Sequence, residues 1–328
     1  MATVDIIMPS YNSIATINKA IASVAMQTLD EGDSFALTIV DDASTDGVEY
    51  QRIADYWNAF IPCQLIEKPV NQGCGLARQT GMDETDGDFI VFIDADDAFV
   101  SPHAIRYLLR AIEGNDIVMG QFAEETANGS IMHDKNFTWM HGKMYRRSFI
   151  ERHLIRFNET RYNEDSGFNQ IAAHLTDRIL YIPQIVYSWN NRKDSTVRSN
   201  KDGYRGGYGW REFIENLAYA CEELRKRNIN KAIVRDFAIE CLATLYWQYG
   251  DAYSLVPDED NLNREKLREF YRRALRPYVL DGAVMHEHLT AQGLKHMTDF
   301  KLVALPPVTF EEFIKLLGYF DDMKKLYK

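Results

Sequence analysis

The chain has 328 residues, 46% hydrophobic, 12% aromatic and 26% charged, with 37 Lys and Arg against 48 Asp and Glu for a formal charge of -11. That length accommodates two or three domains with a sizeable core, and the composition excludes a wholly disordered chain. The net charge disfavours a protein that coats nucleic acid or anionic membrane nonspecifically, but leaves room for a local basic groove.

Residues 4–8 (Val-Asp-Ile-Ile-Met) predict a short buried strand that stops at Pro9-Ser10. Apolar residues at Ile17, Ile21, Val24 and Ala25 follow at helical spacing. A second strand, Phe35 to Val40, runs into Asp41-Asp42-Ala43-Ser44-Thr45-Asp46-Gly47, and a helix is expected over about 49–58. Cys63 to Glu67 predicts a third strand, Asn71 to Gly75 a loop, and Leu76 to Asp83 a helix. Phe89 to Ile93 is the most apolar strand and leads directly into Asp94-Ala95-Asp96-Asp97. This alternation with short connections predicts a doubly wound, mainly parallel α/β sheet. Ligands of such sheets bind beyond the carboxyl ends of the strands, where the polar clusters after strands one, two and four all fall.

Residues 101–205 read as mixed, with strands near Asp116–Phe122 and Ile179–Ile182 and a helix around Phe168–His174. Beyond Gly206-Gly207 the pattern predicts helices over Tyr208–Arg227, Lys231–Tyr249, Arg264–Arg276 and Phe310–Tyr327. The expected division is therefore 1–100, 101–205 and a helical C-terminal domain over 206–328. Residues 1–200 hold 17 basic and 28 acidic side chains, whereas residues 201–328 hold 20 of each, so all the excess acid lies in the first two-thirds.

No stretch approaches the ~20 apolar residues of a transmembrane helix, and the first residues lack the basic flank and apolar core of a signal peptide. Cys63, Cys74, Cys221 and Cys241 form no Cys-x-x-Cys pair and read as reduced thiols of a cytoplasmic protein. The sequons at Asn128, Asn136 and Asn158 are then chance matches.

Three carboxylates in Asp94-Ala95-Asp96-Asp97 repel one another unless a positive group sits among them. A hard cation, Mn²⁺ or Mg²⁺, held by carboxylates and substrate phosphates suits that chemistry; a solvated turn before a helix starting at Ser101-Pro102 is the plain alternative. Asp41-Asp42 could accept a hydrogen bond from a nucleotide base or ribose, or simply form a turn. Pro9-Ser10-Tyr11-Asn12 offers an aromatic face and small polar groups suited to a base. Asn71-Gln72-Gly73-Cys74-Gly75-Leu76-Ala77-Arg78-Gln79 is a Gly-containing loop entering a helix, with Arg78 available to phosphate or base. It is neither Gly-x-Gly-x-x-Gly nor a Walker sequence, which excludes dinucleotide and P-loop readings. Asn163-Glu164-Asp165 can supply a general base, or cap a helix.

Taken in order, these motifs resemble a family-2 glycosyltransferase of the GT-A fold. The resemblance runs from about Val4 to Arg198. It is carried by Ile7-Met8-Pro9-Ser10-Tyr11-Asn12, Val40 to Asp46, Asn71 to Gly81, Phe92 to Asp97, Gly142-Lys143-Met144-Tyr145-Arg146-Arg147 and Asn163-Glu164-Asp165. Gln79 stands where the family usually has Asn, and residues 206–328 have no match in it.

The resemblance implies inverting transfer of a sugar from a nucleotide diphosphate donor, a UDP-sugar first, to a hydroxyl acceptor read as a glycan. It places Pro9, Ser10, Tyr11, Asn12, Asp41, Asp42, Asn71, Gly73, Arg78, Asp94, Asp96 and Lys143 on the donor side, with Asp42 at the base N3. Asp96, with Asp97, is the expected metal site, and Asp165 the general base. Trp139, His141 and Glu164 are assigned to the acceptor side. Arg192, Ser195 and Arg198 belong to a segment that either closes over the diphosphate or is a solvated loop.

Two other readings stay open: the same chemistry on a hydroxylated base in DNA, and a module that binds nucleotide-sugar or a partner without turnover. Retention of Asp165 argues against the second. Arg264, Lys266, Arg268, Arg272, Arg273 and Arg276 could serve a phosphate backbone, but a solvated helix face with Glu265 and Glu269 interspersed is favoured. Nucleic acid is thus not the favoured partner. His286-Glu287-His288 reads as surface histidines, since no third ligand follows at matching spacing.

Overall fold

The computed structural model describes residues 1–190, 204–227, 229–282, 284, 286, 287, 289–291 and 306–326. The described residues form two compact units, one within Met1–Lys193 and one within Asp194–Lys328.

The first unit opens with β1 (Thr3–Ser10), α1 (Ile17–Ala25), β2 (Ser34–Asp41), α2 (Tyr50–Trp57), β3 (Cys63–Glu67), α3 (Cys74–Asp83) and β4 (Phe89–Phe92). It continues through β5 (Ala98–Phe99), α4 (Ala104–Ala111), β6 (Ile117–Thr126), β7 (Gly129–His133), β8 (Lys143–Arg146), α5 (Arg147–Arg152), α6 (Glu164–His174) and β9 (Ile179–Asn190). One sheet runs in the order β3-β2-β1-β4-β8-β6-β9-β5, with β7 added beside β6. Strands β3, β2, β1 and β4 are all parallel. Because β1 and β4 are covered on both faces, they read as continuous apolar runs rather than alternating ones.

The alternation expected over residues 4–93 is present, and the order reverses between β1 and β4. The switch point therefore lies where the loops after β1, β2 and β4 meet. Beyond β4 the direction changes: β8 is antiparallel to both β4 and β6, whereas β6 and β9 are parallel. Strand β8 was not expected from the sequence. Arg146 and Arg147 fix its end: Arg146 donates to the carbonyls of Asn115 and Ile112, and buried Arg147 donates to Asp5, Thr85 and the carbonyls of Gly87 and Met82.

Expected to end near Ile182, β9 instead continues to Asn190. Its pairing with β6 slips between Met119 and Phe122, so Pro183 falls in an irregularity where its missing N–H costs no ladder bond. The extension carries Tyr187 and Asn190 to the end of β4.

The second unit holds α7 (Tyr208–Lys226), α8 (Lys231–Leu255), α9 (Asp260–Phe270), a π-helical turn (Tyr271–Leu275), α10 (Arg276–Leu280), α11 (Phe310–Leu316) and α12 (Tyr319–Leu326). Leu217, Cys221 and Leu224 of α7 and Val234, Phe237, Cys241 and Leu245 of α8 are buried, as their spacing predicts, while Ile214 takes the buried place expected of Phe213. Gly318, at φ 88°, divides the single helix expected over Phe310–Tyr327 in two. His286 packs against the rings of Tyr319 and Phe320, and His288 lies outside the described residues. All four cysteines are free thiols.

Candidate active site

The loop after β1 is built by cross-loop hydrogen bonds. Asn12, at φ 50°, donates its N–H to Ser44 Oγ (2.8 Å) and accepts the Thr45 N–H (2.7 Å), tying that loop to the one after β2. Asn tolerates this left-handed conformation better than most residues. Pro9 and Ser10 are buried in β1, and Tyr11 is left exposed at the rim.

The two acids after β2 serve different loops. Asp41 accepts the Ser44 hydroxyl (2.5 Å) and N–H (3.1 Å), closing its own turn. Buried Asp42 reaches the next loop, accepting the N–H groups of Gln72 (3.1 Å) and Gly73 (2.7 Å). Lys68 Nζ is 2.9 Å from Asp42, an ion pair outside hydrogen-bonding geometry. Both Asp42 oxygens are thus engaged within the protein, fixing the approach to α3.

Gly73 takes φ 95° just before α3, so the helix begins at Cys74 rather than the expected Leu76. A Cβ on Gly75 would lie 2.3 Å from Glu164 Cγ; only glycine permits this approach of α3 to α6. Asn71 accepts from Arg161 (2.5 Å). One turn into α3, Arg78 donates to Asp94 Oδ1 (2.6 Å) and Glu164 Oε1 (2.8 Å). Burial disfavours its charge, but the surrounding acids outweigh burial and hold its pKa well above the ordinary value.

The end of β4 is organised from β9. Tyr187 Oη accepts the Asp94 N–H (3.1 Å) and donates to Asp97 Oδ2 (2.7 Å). Asn190 donates its N–H to Asp97 Oδ1 (2.8 Å) and its side-chain amide to the Asp96 carbonyl (2.5 Å). Burial first, then the Asp94 and Asp96 charges, push the Asp97 carboxyl well above the usual range. Asp94 moves the other way: burial raises its pKa, but Arg78 and His141 outweigh burial and lower it. Asp94, Asp97 and His141 each bring one ligand atom to within 4.8 Å of the others. Burial drives the His141 pKa down to about 3, keeping the imidazole neutral, and its buried Nδ1 has no hydrogen-bond partner.

His141 stacks on Tyr187 (4.8 Å between ring centres) and also meets Trp189, which packs on half-buried Trp139 (5.3 Å). Lys143, fully buried, donates to the carbonyl of Trp139, and burial lowers its pKa to about 7 against the opposing pull of Asp165.

Asp165 stands in the first turn of α6, which starts from Asn163 in a left-handed conformation. Its Oδ1 accepts the Ser166 N–H (2.8 Å). Burial raises its pKa to about 6, with Arg78 and the Ser166 N–H opposing and Asp94 adding. Glu164 is raised to about 7, by burial and then by Asp165, against Arg78. Glu164 is buried under Gly75 and paired with Arg78.

The structure therefore gathers buried Arg78, Asp97, His141, Lys143 and Glu164 and half-buried Asp94 and Asp165 into one electrostatically linked group. Asp96 lies outside the three-residue ligand grouping, and Arg192, Ser195 and Arg198 lie outside the described residues. Sequence reading missed Tyr187 and Asn190. Their one signal was the run Tyr187-Ser188-Trp189-Asn190 after a strand that Pro183 seemed to close.

Residues 5–163 match the family described as Glycosyl transferase family 2. Among curated relatives, the chain is 27% identical over 223 residues to the putative glycosyltransferase EpsH of Bacillus subtilis, covering 60% of this chain and 62% of EpsH. It is 24% identical over 217 residues to the poly(ribitol-phosphate) beta-N-acetylglucosaminyltransferase TarS of Staphylococcus aureus, covering 61% of this chain and 37% of TarS. The chain thus spans less than two-thirds of either relative.

The crystal structure of S. aureus TarS 1-349 with UDP-GlcNAc superposes with a TM-score of 0.71 at 18% identity, covering 90% of this chain and 89% of that one. That coverage takes in helical residues beyond the sequence motifs. Switch-point geometry, ordered motifs and these matches agree: residues 5–163 belong to Glycosyl transferase family 2, and the chain is built on the GT-A fold.

Proposed function

We propose that the enzyme transfers a sugar from a UDP-sugar to an acceptor hydroxyl with inversion, Asp165 acting as general base. The observation that carries this reading is Asp165 itself, a carboxylate at the head of α6 whose pKa is raised to about 6 within the Arg78, Asp94 and Lys143 group. A base so poised is ionised at neutral pH yet basic enough to accept a proton. As the acceptor oxygen attacks the anomeric carbon, its proton passes to Asp165 and the bond to the diphosphate oxygen breaks, releasing UDP. One displacement with one base inverts the anomeric centre.

Donor choice rests on relatives: TarS has been crystallised with UDP-GlcNAc and with UDP. Asp42 then acts on the nucleotide through the Asn71–Gly73 loop it fixes, while Tyr11 offers an exposed ring at the rim. Arg78 holds Asp94 and Glu164 in place and sets the charge of the site.

The residues present fit a divalent cation. Asp94, Asp97 and His141 converge, and the neutral imidazole has an unpartnered buried nitrogen. These three, with Asp96 beside them, would hold Mn²⁺ or Mg²⁺, whose chemistry is to neutralise charge on the leaving diphosphate. A mannosyltransferase of Pyrobaculum calidifontis, crystallised with GDP-Man and Mn²⁺, shares the fold at a TM-score of 0.50. The acceptor hydroxyl is read as that of a glycan or a polyol-phosphate chain, since two relatives are named for poly(ribitol-phosphate). Screening nucleotide-sugars for Mn²⁺-dependent hydrolysis, then acceptors with the hit, tests the proposal; turnover only with a donor other than a UDP-sugar would overturn the donor assignment.

A further inference from the structure

The helical unit contains a cleft of about 700 Å³ between the α9–α10 segment and the α11–α12 pair. Arg268, Arg272 and Arg276 line one side, and Lys315 and Lys325 the other. A four-residue spacing drifts around an α-helix, which repeats every 3.6 residues. The wider π turn at Tyr271–Leu275 takes up that drift, so all three arginines face the same cleft.

Their hydrogen bonding is unlike that of the neighbouring cations. Arg264 is paired with Asp260, Lys266 with Glu215 and Glu269, and Arg273 with Glu215 and Glu222, all within 3.0 Å. Those three form the solvated, acid-neutralised face expected of the whole cluster. Within the cleft, by contrast, Arg268 is anchored by Nε to the Leu316 carbonyl (2.8 Å) and Arg276 by Nε to Asp322 (3.0 Å). The Nη groups of both, and the whole guanidinium of exposed Arg272, have no partner among the described residues.

The cleft's two acids do not cancel this charge. Asp322 is buried and engaged by Tyr271 Oη (3.1 Å), Arg276 and Lys325 (2.9 Å), and exposed Asp321 pairs with Lys324 at 3.7 Å. What remains is two anchored guanidinium forks, Arg268 and Arg276, and the exposed Arg272 between them, with open N–H donors of the geometry that matches phosphate oxygens. Eight residues separate Arg268 from Arg276, about 12 Å along the helix, enough for more than one phosphate of an extended chain.

We propose that this cleft binds consecutive phosphodiester groups of an anionic polymer, a chain of polyols or sugars joined by phosphate, which serves as the acceptor. The proposal rests on the glycosyltransferase reading only in making that polymer the acceptor; the binding itself does not depend on it. A cleft of about 700 Å³ between helices suits a single extended chain better than duplex DNA or a flat bilayer surface. A second binding element on the enzyme retains a polymeric acceptor between transfers.

The test uses the full chain and a fluorescein-labelled octamer of glycerol phosphate, read by fluorescence polarisation. The wild-type protein should bind it, with affinity falling as salt rises. Arg268→Ala combined with Arg272→Glu should weaken binding at least about tenfold, and Arg272→Lys less than about threefold. UDP affinity and donor hydrolysis should be unchanged in both variants. Equal binding by the double variant, or no preference for the octamer over uncharged dextran, would overturn the proposal. So would tighter binding of phosphatidylglycerol vesicles or duplex DNA that the same substitutions abolish. Octamer binding that depends on these arginines, without turnover of any nucleotide-sugar, would sink the catalytic reading and leave the cleft assignment standing.

Discussion

Gly75 and Glu164 are packed so closely that a methyl group at Gly75 would lie 2.3 Å from Glu164 Cγ. This contact sets the distance between α3 and α6, and hence the reach of Arg78 to both Glu164 and Asp94. Gly75→Ala must push α6 away or swing Glu164 off Arg78. Overpacking of this kind costs about 1–3 kcal/mol, and it should lower kcat/KM by about 10–100-fold. Thermal unfolding and steady-state kinetics of one preparation check both effects.

Arg78 is held between buried Glu164 and half-buried Asp94. Arg78→Met leaves Glu164 and Asp94 without a partner, a loss of about 3–5 kcal/mol if both stay ionised. The acids will take up protons instead, so the variant's stability deficit should shrink at acidic pH. Denaturant titrations at two pH values measure this; a deficit independent of pH would contradict the electrostatic role.

Much of this site was legible in the sequence, for a physical reason. The parallel half of the sheet is buried on both faces, so its strands are unbroken apolar runs whose ends are marked by Pro9, Asp41 and Asp94. Tyr187 and Asn190 were not legible. Their partners lie more than 90 residues earlier, and Pro183 hides the continuation of β9. Strand β8 was missed because Lys143, a charged residue, is buried in it. Asp42 was recognised as a site residue, but its bonds to Gln72 and Gly73 depend on a loop placed by folding. The arginine cluster was read as one face; the structure divides it into members paired with acids of the neighbouring helix and members that line the cleft.

Tyr187 joins the Asp94 backbone to the Asp97 carboxylate through one hydroxyl. Tyr187→Phe strands both groups at a cost of about 1–3 kcal/mol. Because it orients the carboxylates proposed to hold the cation, Mn²⁺ should bind about tenfold more weakly. Chelation should stop transfer by the wild-type enzyme and added Mn²⁺ restore it. Full transfer in excess chelator would exclude a required cation.

A base must be ionised to accept a proton, and burial raises the Asp165 pKa to about 6. Activity should therefore rise with pH through about 6 and level off above it. Lys143 helps hold that value down, so Lys143→Met should move the rising limb to higher pH. The pH profile of kcat/KM for both proteins tests this; an unmoved limb would separate Lys143 from the titration.

The most direct test of the account is Asp165→Asn, assayed for sugar transfer and for UDP-sugar binding on the same sample. The substitution keeps size and polarity but removes the basic oxygen. Transfer should fall by about 10²–10⁴-fold, while donor affinity stays within about twofold. Turnover comparable to the wild type would contradict the assignment of Asp165 as the base.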